Sequence, residues 1–307
     1  MACHIYAVGK GPPAKRVPIG TLPFPLGDIR NGIWMCYRHG KVIDNDERTF
    51  TPELLVYWRI LAERRAGVLQ DGSFDHESAE DATFQLLDCA VQSGDPKLRT
   101  IIDEAIFLSC VADTWGHELA ATIRDLAIEL ALNGFSHGKA SFFRIKIFPR
   151  SIVMIDNGLP FSLDQLSSPG SAKGGGWESL FATRKNAAEV LLSYRRDDLN
   201  NEVTSVKLFS ADDVIKSVPC SVNLGYGPES TEKALLFIRD HPECSTVFLV
   251  PNGGIFSYSD LSLLSYMLVD LSLLGRDLAI VGYPHSQGIK DFIALRLPTV
   301  RLVELPR

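Results

Sequence analysis

The sequence predicts an α+β chain with a separate α/β element at its C-terminal end. Long amphipathic helical patterns over residues 98–135 are followed by paired β-rich runs, the order expected of one mostly antiparallel sheet with helices on one face. From about Asp212 the rhythm changes to strand, helix, strand, and the strands are unbroken apolar runs, as in a parallel βαβ unit. The 307 residues, 46 % hydrophobic and 22 % charged, have globular composition and suffice for two compact domains, or three if one is small.

Taken in chain order, Pro12, Pro13, Pro18, Pro23 and Pro25 crowd the start. Proline fixes φ and lacks a donor, so residues 10–27 are expected to form an extended, irregular arm. Ile33 to Val42 contains short strand-like stretches. Thr51 to Arg65 reads as a helix with Thr51 as N-cap, Pro52 in the first helical position and Glu53 in the first turn. A polar stretch, Gln70 to Asp81, separates it from a second helical run, Ala82 to Gln92. Residues 1–97 are therefore assigned to an N-terminal arm and helical region.

Two amphipathic helices are predicted next, Leu98 to Ala112 and Glu118 to Phe135. Phe142 to Phe148 and Ser151 to Ile155, joined at Pro149-Arg150, suggest a hairpin. A Gly- and Ser-rich loop covers 167–176, and a helix is expected over Trp177 to Lys185. Strands Ala188 to Tyr194 and Glu202 to Phe209 follow, separated by the polar Arg195 to Asn201, so that residues 98–211 make one domain. In residues 212–307, Thr231 to Asp240 reads as a helix and Thr246 to Pro251 as a buried strand. Asp260 to Leu274 reads as a helix ending at Gly275, and Leu278 to Gly282 as a second buried strand.

Charge and cysteine usage narrow the function. With 37 acidic against 31 basic residues and no long basic run, a nucleic-acid partner is not expected. The six cysteines, Cys3, Cys36, Cys89, Cys110, Cys220 and Cys244, form no Cys-x-x-Cys pair and follow no leader-like segment. They are expected to be reduced, mostly buried thiols of a cytoplasmic protein. The most apolar stretch, Leu261 to Leu274, is interrupted by Asp270 and is shorter than the ~20 residues that a membrane span needs.

Chemistry concentrates in three places. On the helix Glu118 to Phe135, Asp125, Glu129, Asn133 and His137 recur at four-residue spacing, which stacks them along one side of an otherwise apolar helix. Buried carboxylates and amides need partners: protein groups, a metal ion or a ligand. Asp156-Asn157-Gly158 then forms a turn signal directly after a strand, and its carboxylate could accept a hydrogen bond from a ligand amine. Finally, Lys173 and Gly174 to Gly176 precede a predicted helix, whose N-terminal amides would face an anion.

In this order, Glu129-x-x-x-Asn133-x-x-x-His137-Gly138, Asp156-Asn157-Gly158 and the Gly174 to Gly176 loop resemble the GHKL (Bergerat-fold) superfamily of gyrase, heat-shock chaperones and histidine kinases. The first motif looks most like the anti-sigma-factor serine kinase branch. The resemblance implies a GHKL-type α/β sandwich over residues 98–211 that binds ATP and Mg²⁺. It would make Glu129 the general base and Asn133 the Mg²⁺ ligand, with His137 beside them in the ATP-binding set. Asp156 would bind the adenine amino group and Gly158 would leave the base room. Lys173, Gly174, Gly175 and Gly176 would form the lid over the phosphates, and Thr204 would complete the adenine pocket. Where the family has a second glycine after the aspartate, this chain has Pro160, which implies a stiffer turn.

Residues 212–307 more faintly resemble a STAS domain, the fold of anti-sigma-factor antagonists, with Ser257 and Ser259 flanking the place of its phosphoacceptor. Together the resemblances imply a Mg-ATP-binding regulatory protein, a serine kinase in partner switching, that acts on a STAS-like or other regulatory protein; a second copy of the chain is a further candidate partner. Two alternatives stay open, a GHKL ATPase that drives a conformational cycle and a non-catalytic nucleotide-binding module.

Overall fold

Short apolar runs pair into three sheets in the computed structural model, which describes residues 2–9, 15–71, 85–161, 163, 190–197, 199–207, 211–225, 228–252, 262, 277–283, 286–298 and 300–305. The fold is mixed α and β, with both antiparallel and parallel pairing. The chain divides into two compact units, one of Met1–Asp88, Phe107–Cys110 and Lys146–Pro149, the other of Cys89–Ile106, Val111–Ile145 and Arg150–Arg307.

In the first unit, β1 (Ala2–His4) pairs antiparallel with β2 (Gly32–Trp34). The proline-bearing arm carries no regular structure over residues 15–28. It is held by side chains instead: Arg16, buried, donates to the carbonyls of Ile5 and Ile43 and pairs with Asp44. The strand-like reading of Ile33 to Val42 holds only at Ile33 and Trp34, because Cys36 opens a helix, α1 (Tyr37–Asn45). Thr51 does cap α2 (Pro52–Asp71), accepting from the Leu54 amide at 3.3 Å, a bond of about 1 kcal/mol.

The expected helix Ala82 to Gln92 is corrected. Within the described residues, Leu87–Gln92 is a strand, β3, at the edge of the central sheet. Its neighbour there is β4, Phe142–Ile147, far along the chain, and a long-range ladder outweighs the local helical preference of Leu, Ala and Gln. The two amphipathic helices are present as α3 (Leu98–Leu108) and α5 (His117–Ser136), with a short α4 (Val111–Trp115) between them. Cys110 at φ 53° and Gly116 at φ 91° make the breaks, and Gly116 takes a backbone conformation that other residues resist. On α5, Leu119, Ile123, Leu126, Ala127, Leu130 and Ala131 are buried at helical spacing, which is the main force holding the helix in place.

The expected hairpin is β4 with β5 (Ser151–Asp156), and a second hairpin is β6 (Val190–Arg196) with β7 (Asn201–Lys207). The central sheet runs β3-β4-β5-β7-β6, and β7 is antiparallel to both β5 and β6. Helices are not its only cover. Leu191 of β6 and Val206 of β7, which share a face, belong to the hydrophobic core of the C-terminal segment.

That segment begins with α6 (Ala211–Ser217) and continues as β8 (Ser221–Leu224), α7 (Pro228–Asp240), β9 (Thr246–Pro251), β10 (Asp277–Gly282), α8 (Gln287–Arg296) and β11 (Val300–Glu304). The expected parallel pair, β9 with β10, is present and extended: four parallel strands lie in the order β11-β10-β9-β8, while the helix expected between β9 and β10 falls outside the described residues. Val247 to Val250 and Leu278 to Val281 are wholly buried, as strands of a covered parallel sheet must be. Asp213 of α6 forms a largely buried ion pair with Arg150 in the β4–β5 turn. The loop 167–176, the helix Trp177 to Lys185 and all but Ser262 of Asp260 to Leu274 lie outside the described residues.

The expectation of six reduced thiols is corrected as well. Cys220 and Cys244 are joined in a disulfide, while Cys3, Cys36, Cys89 and Cys110 are not disulfide-bonded. Each bonded cysteine stands just ahead of one of two adjacent parallel strands, β8 and β9, which brings residues 24 apart in sequence to a Cα separation of 5.7 Å. Denatured without reductant, the protein should therefore titrate as four thiols with a chromogenic disulfide reagent, and as six after reduction. Six before reduction would remove the bond.

Candidate functional site

The C-terminal end of α5 and the end of β5 meet through two turns. The amides of His137 and Gly138 both donate to the Asn133 carbonyl, at 2.9 and 3.0 Å, and the Ala140 amide donates to that of Gly134 at 2.9 Å. Lys139 takes φ 57°, so the chain leaves the helix in one tight reversal. At Gly138 a Cβ would stand 2.9 Å from the Gly134 oxygen.

After β5, Asn157 accepts from the Ser141 and Phe142 amides and donates to the Ser141 hydroxyl, which fastens its turn to the start of β4. The Leu159 amide donates to the Gly138 carbonyl at 2.7 Å. A Cβ on Gly158 would lie 2.9 Å from that same oxygen. Gly138 is thus required by the helix backbone at Gly134, and Gly158 by the Gly138 carbonyl and its own Asp156 carboxylate.

Asp156 sits beneath this contact and is 5 % exposed. Its Oδ1 accepts from the Gly158 amide at 2.7 Å and from Asn201 Nδ2 at 2.8 Å. Asn201, 1 % exposed, lies directly opposite on β7. Its own Oδ1 accepts from the Tyr194 hydroxyl at 2.9 Å and from Arg196 at 2.6 Å, and Arg196 also donates to the Gly158 carbonyl at 2.9 Å. Burial pushes the Asp156 carboxyl up from its ordinary value; the bonds from Asn201 and Gly158 and the Arg196 charge counter this only in part. Burial likewise raises the Tyr194 phenol. Among the described residues Asp156 Oδ2 has no hydrogen-bond partner.

The helix supplies the other groups. A Cβ on Gly134 would stand 3.6 Å from Asp156 Cγ, so the last turns of α5 lie on the carboxylate. Glu129 and Asn133, one turn apart, are half-buried, and their side chains have no hydrogen-bond partner among the described residues. Asp125 is exposed and pairs with its neighbour Arg124, so the polar stripe does not extend to it. His137 is exposed at the C-cap.

Thr204 is not brought to this place. It pairs with Val153, three residues from Asp156, and therefore lies on the opposite face of the sheet. Ser205, fully buried, is on the Asp156 face, and its hydroxyl has no partner among the described residues. Lys173, Gly174, Gly175, Gly176, Ser257 and Ser259 lie outside the described residues. Asn201, Arg196 and Tyr194 were not anticipated. The signal for Arg196 and Asn201 was the polar run between two apolar strands, once register sets it opposite Asp156, and Tyr194 is the last residue of the strand expected before it.

The donors suit a hard cation. Glu129 and Asn133 offer oxygens, and magnesium prefers oxygen ligands, keeping several waters and substrate phosphates. No group of three His, Cys, Asp or Glu side chains able to hold a metal occurs among the described residues. No protein-family model matches the chain, and no curated protein matches it.

Two outcomes follow from the geometry. Gly158→Ala should lower stability by about 1–3 kcal/mol in urea denaturation, because the added methyl meets backbone. Gly134→Ala, with nothing nearer than 3.6 Å, should be neutral or gain up to about 1 kcal/mol of helix propensity. The second outcome concerns pH. Well below about pH 4 Asp156 is protonated in the folded and unfolded chains alike. As pH rises the unfolded chain ionises first, so the stability tied to the neutral acid is lost as pH passes the raised folded value. Asp156→Asn, which keeps an acceptor for Gly158 and Asn201, should match the parent in acid and exceed it in stability at neutral pH.

Proposed function

We propose that the chain is a Mg-ATP-binding regulatory protein of the GHKL type, with its nucleotide site where α5 meets the end of β5. The observation that carries this reading is Asp156: a buried carboxylate with one oxygen held by two protein donors and the other without a partner among the described residues. Such an oxygen suits the exocyclic amino group of adenine, and the donors on Oδ1 keep it oriented. In this reading Gly158, which has no side chain beside Asp156, would leave the base room.

Glu129 and Asn133, one turn apart on the helix that touches Asp156, would face the phosphates. Asn133 would hold Mg²⁺ through its side-chain oxygen, and the metal would neutralise charge developing on the transferred phosphoryl group. Glu129 would accept the proton of the attacking hydroxyl. With a serine acceptor, the oxygen–phosphorus bond to the serine forms as the bond to the ADP leaving oxygen breaks. Lys173 and Gly174 to Gly176 remain the lid in this proposal. Ser257 or Ser259, in the STAS-like reading of the C-terminal segment, is the candidate acceptor. A protein partner controlled by nucleotide state fits the same scheme.

Calorimetric titration of the whole chain with Mg-ATP tests the reading. The unmutated protein should bind, Asn133→Ala should bind at least tenfold more weakly, and Glu129→Gln should bind normally while losing about 10²-fold or more of phosphoryl transfer. Absence of binding by the unmutated protein would sink the proposal.

A further inference from the structure

The disulfide is wired to the same site, and we propose that it is a redox control on it. The proposal rests on the nucleotide reading above for its ligand, though not for its structural core. Cys244 forms an isolated antiparallel bridge with Arg195, and the Arg196 amide donates to the Glu243 carbonyl at 3.3 Å. The turn before β9 is thereby bonded to the last residues of β6.

From those residues the contacts run to Asp156. Arg195 forms a two-point ion pair with Glu202 across the β6–β7 hairpin, at 2.8 and 2.9 Å. Arg196 donates to Asn201 Oδ1 and to the Gly158 carbonyl, and Asn201 donates to Asp156. On the other side, the Cys220 carbonyl accepts from the Phe248 amide at 2.9 Å, so the bond spans the starts of β8 and β9. Both sulfurs are buried, but each lies under a surface turn: Pro219, Pro242 and Ser245 are exposed. Local opening of either turn admits a reductant.

A dithiol supplies the chemistry. Its thiolate attacks one cysteine sulfur, the Cys220–Cys244 bond breaks, and a mixed disulfide forms. The second thiol of the reductant then displaces the protein sulfur, leaving a reductant disulfide and two protonated protein thiols, a transfer of two electrons and two protons. Once the bond is cut, the His241–Ser245 turn keeps its hydrogen bonds, the His241–Phe237 ring contact and the burial of Cys244, but loses its covalent tie to the start of β8. The β5–β7–β6 ladder keeps its register, but the end of β6 loses the covalent anchor behind its contacts with Glu243 and Cys244, and the aim of Arg196 at Gly158 and Asn201 loosens. The oxidised chain is the competent form and the reduced chain the slack one.

Hydrogen exchange and Mg-ATP calorimetry on the whole chain test this, comparing the oxidised protein, the protein reduced with dithiothreitol and alkylated, and Cys220→Ser/Cys244→Ser. Reduction should speed amide exchange at least fivefold over residues 194–201, leave β10 unchanged and weaken Mg-ATP binding at least fivefold; the double serine variant should resemble the reduced state. If that variant fails to fold, reduction without alkylation, followed by reoxidation that restores the original exchange, serves instead. Equal exchange over 194–201 in the two redox states overturns the proposal, as does exchange that rises uniformly through β10. If neither state binds Mg-ATP, the nucleotide reading fails while the exchange data still judge the coupling.

Discussion

A carboxylate taken out of water at the end of a strand is costly unless donors are already in place, and the arrangement around Asp156 exists to supply them. One donor comes from its own turn at Gly158, the other from Asn201 on the neighbouring strand. Asn201 can donate there because Tyr194 and Arg196 satisfy its own oxygen. The network therefore needs the β6–β7 hairpin in one register: a slip of a single residue would turn Asn201 to the other face of the sheet.

The stacked turns carry the same constraint to the helix. Because Gly138 and Gly158 touch through backbone atoms, the exit of α5 and the end of β5 are held at a fixed separation, and Gly134 comes to rest on Asp156. Two loops that look like separate punctuation in the sequence are one structural joint. The joint has a function-independent reason to hold glycine at both places, so the glycines by themselves say little about a ligand. The buried acid says more, since burial disfavours its charged form and an amide would offer the same acceptor without that cost.

What was legible in the sequence was what local periodicity determines. The helix α5, the hairpin of β4 and β5, Thr51 as a cap and the parallel pair β9 and β10 all follow from patterns a few residues long. Features settled by distant partners were not. Leu87–Gln92 became a strand through β4, and Cys220 found Cys244 through the pairing of β8 with β9. At the candidate site, Glu129 and Asn133 stood out by their four-residue spacing on one helix and Asp156 by the turn signal after its strand, while Thr204 and Ser205, adjacent in sequence, could be assigned to faces only after the β5–β7 register was known.

The two faces of the central sheet explain how one site could answer to the other end of the chain. Asp156, Asn201 and Tyr194 lie toward α5, whereas Leu191 and Val206 on the reverse face share a core with β8 to β11. A strand cannot shift one face without shifting the other, and interiors packed like solids transmit such shifts instead of absorbing them. Ligand contact at Asp156 and rearrangement among the C-terminal strands would therefore be felt through the same two strands, β6 and β7. If the redox proposal holds, linkage makes the influence mutual: a tightened turn at Cys244 would favour the aligned Arg196, and a ligand at Asp156 would favour the tightened turn.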